Sequence, residues 1–332
     1  MNNYWQVAAG SSGRDYSALF SKFGMAFVGG DTPISTMKEV QKDDIVVLKQ
    51  GTQNILAAGR VIQNKGKHNG CADKEWLRDF DGWDLQAYCY VDWKQASQPV
   101  TIDGLTRATI QRLHQHKHKN AADTILRSGS SVPVSPEPSE TKEVEDYELL
   151  KFLIKEGLRP SSADELTNTV SRIRLLADYY YHHCSWEDIR EHETRTFLVI
   201  PLLLALGWSE QQIKIELPCS GGRIDIACFR KSYKRNNDEC IAIIETKDFS
   251  SGLDYAQKQA KTYSKDFPNC KSVIVTNGYC YKTYLRDDTG QFQVTPSAYI
   301  NLLKPKDRYP IDPHNVGGAL EAIKWLLPNN LT

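Results

Sequence analysis

The sequence carries no surplus of charge: 41 Lys+Arg stand against 41 Asp+Glu over 332 residues. No global basic field draws the chain to nucleic acid, so any such contact has to come from local patches. No apolar run approaches the ~20 residues that a membrane-crossing helix needs, so no membrane partner is expected. The opening residues, MNNYWQVAAG, hold neither a basic start nor an apolar stretch of signal type, and a secreted fate is not expected. The eight cysteines, at 71, 89, 184, 219, 228, 240, 270 and 280, include no Cys-x-x-Cys pair. That scatter argues against a zinc ribbon or a dense disulfide framework and fits a reducing cytoplasm, with each cysteine a small buried hydrophobe. There is no internal repeat.

What is present suffices for two cores. Hydrophobic residues make up 40%, and the length suggests about two domains at roughly 150 residues each. Between residues 119 and 145, "KNAADTILRSGSSVPVSPEPSETKEVE", Pro, Ser, Glu and Lys dominate. This composition predicts a flexible linker between a domain over 1–118 and another over 146–332. Before the linker the pattern is mostly β. Strands are expected at 4–9, 24–30 and 83–93, with a hairpin over 43–62 turning at Gly51. Short helices are expected at 15–23 and 105–116, giving a small barrel. After it, 146–183 reads as helical. "SWED" (185–188) has capping-box spacing for a helix that runs to Gly207, with Pro201 kinking or dividing it. Strands follow at 213–217, 223–229, 241–247 and 272–276, with a helix at about 253–266. The strand–helix–strand series implies a parallel crossover and an α/β domain.

The stretch "IAIIETKDF" (241–249) raises the question of chemistry. It reads as a buried strand, yet at period 2 Glu245 and Lys247 share a face with Ile241 and Ile243. A lone carboxylate there is costly unless paired or bound to a metal, and pairing with Lys247 is the plain structural reading. "GGRIDIACF" (221–229) carries Asp225 between two isoleucines. A turn at 234–238 lets the two strands form a hairpin that brings Asp225 near Glu245. Two such carboxylates repel, and a divalent cation relieves the repulsion; hard oxygen ligands suit Mg²⁺. On the preceding helix, Glu193 falls on an apolar stripe of Ile189, Phe197, Ile200 and Leu204; the alternative is a helix-edge Glu paired with Arg195 or His192. Gln259 sits beside a stripe of Ala256, Ala260, Tyr263 and Phe267, or is simply a surface residue.

In this order, Glu, Asp, Glu-x-Lys, Gln-x-x-x-Tyr, the stretches "HETRTFLVIPLLLALGW" (192–208), "GRIDIACF" (222–229), "IAIIETKDF" (241–249), "QAKTY" (259–263) and "VIVTNG" (273–278) resemble PD-(D/E)XK nucleases. The likeness covers about 185–285 and is greatest to the N-terminal nuclease region of type I restriction R subunits. Ile224 stands where that family has proline. The resemblance implies a restriction-endonuclease-like α/β fold. It implies that Asp225, Glu245 and the Thr246 carbonyl hold Mg²⁺, or Mn²⁺, supported by Glu193. Lys247 then positions or deprotonates a water, and Gln259 orients the site or touches the DNA backbone.

The first domain is punctuated by Tyr4, Trp5, Tyr16, Trp76, Trp83 and Trp93, which a small barrel can pack internally. "YWQVAAGSSGRDYSALFSKFGMAFVGG", "DDIVVLKQGTQNILAAGRVI" and "DGWDLQAYCYVDW" resemble PUA-like domains of the EVE type over about 3–115. The resemblance implies reading of a modified base, with Trp5, Tyr16, Trp83 and Asp84 as the pocket and Arg14 and Lys49 toward phosphate. The whole then reads as a Mg²⁺-dependent endonuclease acting on base-modified, double-stranded DNA in restriction or anti-phage defence. Dimerisation is expected for double-strand cutting. The rival expectations are a nuclease directed at RNA and a non-enzymatic nucleic-acid binder. His114, His116 and His118, and the "HHC" at 182–184, lack neighbouring ligands and read as solvated helix ends rather than metal sites.

Overall fold

The computed structural model describes residues 2–10, 13–183, 189–254 and 256–331, so the "SWED" capping stretch lies outside the described residues. The protein is a mixed α/β chain with one curled half-barrel sheet and a second sheet. It divides into two compact units, Met1–Ser139 and Glu140–Thr332. Among the described residues no helix is long and apolar enough to cross a membrane.

In the first unit, strands β1 (Tyr4–Ala8), β2 (Met25–Val28), β3 (Ile45–Gln50), β4 (Asn54–Val61), β5 (Asn69–Cys71), β6 (Ala87–Thr101), β7 (Ile110–Arg112) and β8 (Ser130–Ser131) form one sheet. Its order is β2-β6-β4-β3-β1-β7, with β5 and β8 also on β6. The first residues of β6 pair with β2 and β5 and the later ones with β4, so one long strand carries the sheet round its bend. The β3–β4 hairpin turns at Gly51, at φ 63°. Helices α1 (Ser17–Phe23) and α2 (Asp31–Met37) lie early in the chain and α3 (His116–Ser128) late.

Two apolar groups fill this unit. One joins Ile45, Val47, Ile55, Leu105, Leu113, Ala122 and Ile125. The other is aromatic: Tyr16, Phe20, Phe27, Trp76 and Phe80, with ring centroids 4.1–6.5 Å apart. Two expectations change here. The span 105–116 is not a helix; it holds β7, and the helix starts at His116. The span 119–145 is not a free linker. Ala122 and Ile125 of α3 are buried in the first apolar group, an amphipathic pattern hidden by the surrounding charge. Beyond α3, the Ser135 amide donates to the Lys22 carbonyl at 2.7 Å, and Glu137 accepts from Lys74. Lys142 and Val144 bond instead within the second unit, to Asp307 and to the Pro305 carbonyl. His118 is buried, with Nε2 2.9 Å from the Asp103 carbonyl, so it is a core histidine rather than a solvated one.

The second unit begins with α4 (Asp146–Lys155) and α5 (Ala163–His183). In α5, Leu166, Val170, Ile173, Ala177 and Tyr180 recur at three- and four-residue spacing and are all buried, which is why this stretch is a helix with one apolar face. Next, α6 (Glu191–Thr194) runs through a π-helical turn (Arg195–Val199) into α7 (Ile200–Ala205). The helix is therefore interrupted just before Pro201, and it stops at Gly207, φ 101°. Strands β9 (Ile213–Cys219), β10 (Gly222–Phe229), β11 (Cys240–Thr246), β12 (Ser272–Thr276), β13 (Cys280–Leu285) and β14 (Ala298–Asn301) form a sheet in the order β14-β13-β12-β11-β10-β9. Helix α8 (Ala256–Tyr263) makes the crossover between β11 and β12, the parallel pair, and α9 (Ala319–Lys324) follows β14. Every residue of β11 and β12 is buried, as central strands covered on both faces require. At the β12–β13 turn, Gly278 has φ 97°, and a Cβ there would meet the Leu198 side chain at 2.4 Å. Glycine is what lets the helix settle on this end of the sheet.

Candidate active site

The strand register builds the site. Ile226 pairs with Ile244 across β10–β11, so the next rung sets Asp225 opposite Glu245. Ile224 pairs with Leu217 and Ile226 with Ile215 across β9–β10, so Asp225 also stands opposite Glu216. Opposite residues of a sheet share a face, and a row of three carboxylates therefore crosses three neighbouring strands.

Each acid has its own environment. Asp225 is buried; its Oδ2 accepts from the Thr246 amide at 2.7 Å and from Thr246 Oγ1 at 2.8 Å. Its Oδ1 lies 3.4 Å from Arg195 Nη1. Glu245 is only 1% exposed. Its Oε1 accepts from Lys247 Nζ at 2.8 Å, while its buried Oε2 has no hydrogen-bond partner among the described residues. Burial, and next the Asp225 charge, push the Glu245 carboxyl up from 4.5 to about 7 against the pull of Lys247. Burial alone would lower the Lys247 ammonium, but Glu245 and Glu191 outweigh it and raise it above its ordinary 10.5. Lys247 is thus held as a cation, suited to meeting negative charge rather than to taking up a proton. The pairing of Lys247 with Glu245 that the sequence allowed is real, and it leaves half of the Glu245 carboxylate unmatched.

The acid from the helix is not the expected one. Glu193 is spent on its own helix end, where Oε2 accepts from the Arg190 amide at 3.1 Å. It is Glu191 that reaches the cluster, with Oε1 3.2 Å from Lys247 Nζ. The π-helical turn rephases the helix: Phe197, placed on the apolar stripe by a regular period, is 50% exposed, while Leu198, Leu202 and Leu203 are buried. A stripe read through Glu191, Arg195, Leu198 and Leu202 has the same spacing and would have found both Glu191 and Arg195. Arg195 pairs with Glu216 and His192 rather than with Glu193. Glu216 carried no sequence signal; its place opposite Asp225 follows from the register alone.

Gln259 is exposed and donates to Tyr263 Oη at 2.8 Å. The Tyr263 ring lies against the β9–β10 turn, within 3.2 Å of where a Cβ on Gly221 would sit. Gln259 therefore supports that turn, and among the described residues no hydrogen bond joins it to Asp225 or Glu245. The Thr246 contribution that the structure displays is its amide and hydroxyl on Asp225.

Counting ion-paired groups, four carboxylates (Glu191, Glu216, Asp225, Glu245) face two cations (Arg195, Lys247). Among the described residues no three His, Cys, Asp or Glu side chains converge as a metal-ligand set. The arrangement fits a cation that keeps most of its waters. Mg²⁺ is commonly held by one or two carboxylates, and the unmatched Glu245 Oε2 and the loosely held Asp225 Oδ1 are oxygen donors of that kind.

In the first unit the four residues expected to line a base pocket separate. Trp5 is 2% exposed, and its indole Nε1 donates to Asp44 Oδ2 at 2.8 Å; it belongs to the core. Tyr16 is also buried, edge-on to Phe80 at 4.9 Å. Trp83 is half-buried in the Phe80–Trp83 turn, with the Arg14 guanidinium 3.9 Å over its ring, and Asp84 follows it. Lys49 is buried and donates to the Gly51 carbonyl, away from the phosphate role considered for it. Trp5→Phe is expected to cost about 2 kcal/mol of stability through the lost bond to a carboxylate and to leave nucleic-acid binding unchanged. Chemical denaturation with a binding titration checks both.

Compared with known proteins, the chain matches no family model and no curated sequence.

Proposed function

We propose that the second unit is a divalent-metal-dependent nuclease of PD-(D/E)XK type acting on DNA, and that the first unit is a PUA-like reader of a modified base. The observation that carries this reading is the buried, under-neutralised carboxylate pair Asp225–Glu245 with Lys247 beside it, on the paired strands β10 and β11. A carboxylate that is 1% exposed and keeps one oxygen unmatched is a costly thing to fold around, and ligand binding is a reason to retain it. Asp225 and Glu245 would hold Mg²⁺ or Mn²⁺, which when bound polarises a phosphate and acidifies a water. Thr246 fixes the Asp225 carboxylate. Lys247, kept protonated, faces the charge that develops on the phosphate, and Glu191 holds the far side of its ammonium.

The test is cleavage of unmodified DNA, of phage DNAs bearing modified cytosine or adenine, and of RNA, each with and without Mg²⁺. Metal-dependent cutting that favours one modified DNA is the expected result. Cutting of RNA alone would redirect the substrate, and binding without cutting in any arm would remove the enzymatic reading. For the reader, Trp83 is the half-buried ring of the three, since Trp5 and Tyr16 belong to the core. Trp83→Ala is expected to remove a stacking contribution of about 1–3 kcal/mol, and so preference for modified substrate, while cutting of plain DNA persists. Unchanged preference in that variant would exclude Trp83 from the reader.

A further inference from the structure

Arg195 is 6% exposed and has three partners. Its Nη1 is 2.6 Å from Glu216 Oε1 and 3.4 Å from Asp225 Oδ1, and its Nη2 is 2.7 Å from His192 Nδ1. The two carboxylate distances differ in kind. The shorter is a strong charge-assisted hydrogen bond; the longer is a stretched one, past the ~2.7–3.2 Å of a good bond. Glu216 therefore holds the guanidinium more tightly, and Asp225 is engaged by it only through a long bond. This matters because the other Asp225 oxygen is already occupied by both donors of Thr246. Oδ1, with one long hydrogen bond, is the oxygen more open to a ligand.

Two backbone features converge on this pair. Glu216 has φ 54° in the middle of a strand, a conformation that a residue with a Cβ seldom adopts and that persists only where its surroundings enforce it. It sits on the rung opposite Asp225. Arg195 is the first residue of the π-helical turn, an irregularity that re-aims side chains and recurs at working sites. One distortion on each element thus brings its charged side chain to the same point.

We propose that Arg195 and Glu216 are a positioning pair for Asp225: Glu216 keeps the guanidinium close enough to balance the acid row and too far to take a firm hold on the oxygen that a divalent cation needs. The inference rests on the metal-dependent reading above. Removing the Glu216 charge frees Arg195 to close on Asp225 and compete with the cation. Removing Arg195 as well takes the competitor away.

Calorimetric titration of Mn²⁺ into the full chain, without nucleic acid, separates the outcomes. Glu216→Gln is expected to weaken Mn²⁺ binding about tenfold, the usual scale for a partner of a metal ligand. The double variant Arg195→Met, Glu216→Gln is expected to recover the parental affinity or exceed it. Thermal melts of each variant report folding separately, and a merely structural role would leave the double variant no better a binder than the single one. Parental affinity in Glu216→Gln, or no recovery in the double variant, overturns the pair while Mn²⁺ binding by the parent, lost in Glu245→Gln, keeps the metal site. No binding by the parent overturns the metal reading and the pair with it.

Discussion

Asp225→Asn and Glu245→Gln, made separately in the full chain, are each expected to lower metal-dependent cleavage on the order of 10³-fold or more. Charge stabilisation by a bound metal amounts to several kcal/mol, and each ~1.4 kcal/mol is tenfold in rate. Both replacements keep the size of the side chain. Asn at 225 retains a carbonyl oxygen for the two Thr246 donors, and Gln at 245 leaves Lys247 its Glu191 partner at 3.2 Å. The expected loss is therefore one of chemistry rather than of folding, and unchanged nucleic-acid binding and circular dichroism are part of the result. Burial makes the prediction demanding. With Asp225 and Glu245 both buried, neither change rearranges the surface that a substrate touches first. Cleavage at the parental rate by both variants would remove the acid pair from the reaction and leave Lys247 without a purpose beyond its ion pairs.

The part of this site that was legible in the sequence is the part set by period and pairing. Asp225 and Glu245 were found because a β-strand alternates and a hairpin fixes register, and the structure places them opposite each other on one rung. Lys247 followed by the same alternation. The parallel β11–β12 pair, joined through α8, likewise came from the order of strand and helix patterns. What failed did so where local geometry departs from the ideal. A regular helical period selects Glu193, but the π-helical turn at Arg195–Val199 shifts the buried face and delivers Glu191 and Arg195. No periodicity announces Glu216, because its role depends on a left-handed backbone in a strand. In the first unit, composition alone made 119–145 a linker, yet Ala122 and Ile125, with His118 just before them, suffice to bury one face of α3. The resemblance to PUA-like domains implied a pocket, but most of those rings satisfy one another, as a small barrel allows: Tyr16, Phe27, Trp76 and Phe80 form a core, and Trp5 is tied to Asp44.

Glu245 also sets a pH dependence that runs opposite to that of most carboxylates. An acid held in an ion pair usually has its folded value lowered, and its stabilising contribution is lost as pH falls. Glu245 has its folded value raised, from 4.5 to about 7, because burial and Asp225 oppose its charge more than Lys247 favours it. Between those two values the folded chain keeps a proton that the unfolded chain has released, so stability falls as pH rises through that window and levels off above it. The shift corresponds to about 3 kcal/mol in total. The cleanest reading is the difference between the parent and Glu245→Gln, measured by denaturant unfolding from pH 4 to pH 8.5, since other titrating groups are common to both. The difference is expected to be flat below about pH 4.5, to move in favour of the Gln variant up to about pH 7, and then to be flat again. The lost bond to Lys247 adds only a constant offset, because that ammonium stays charged throughout. Saturating Mn²⁺ is expected to suppress the pH dependence in the parent, since a ligand that binds the ionised carboxylate offsets the cost of ionising it. A difference that stays constant across the window would mean that Glu245 titrates as an ordinary surface acid, and the buried, unmatched oxygen on which the catalytic proposal depends would lose its significance.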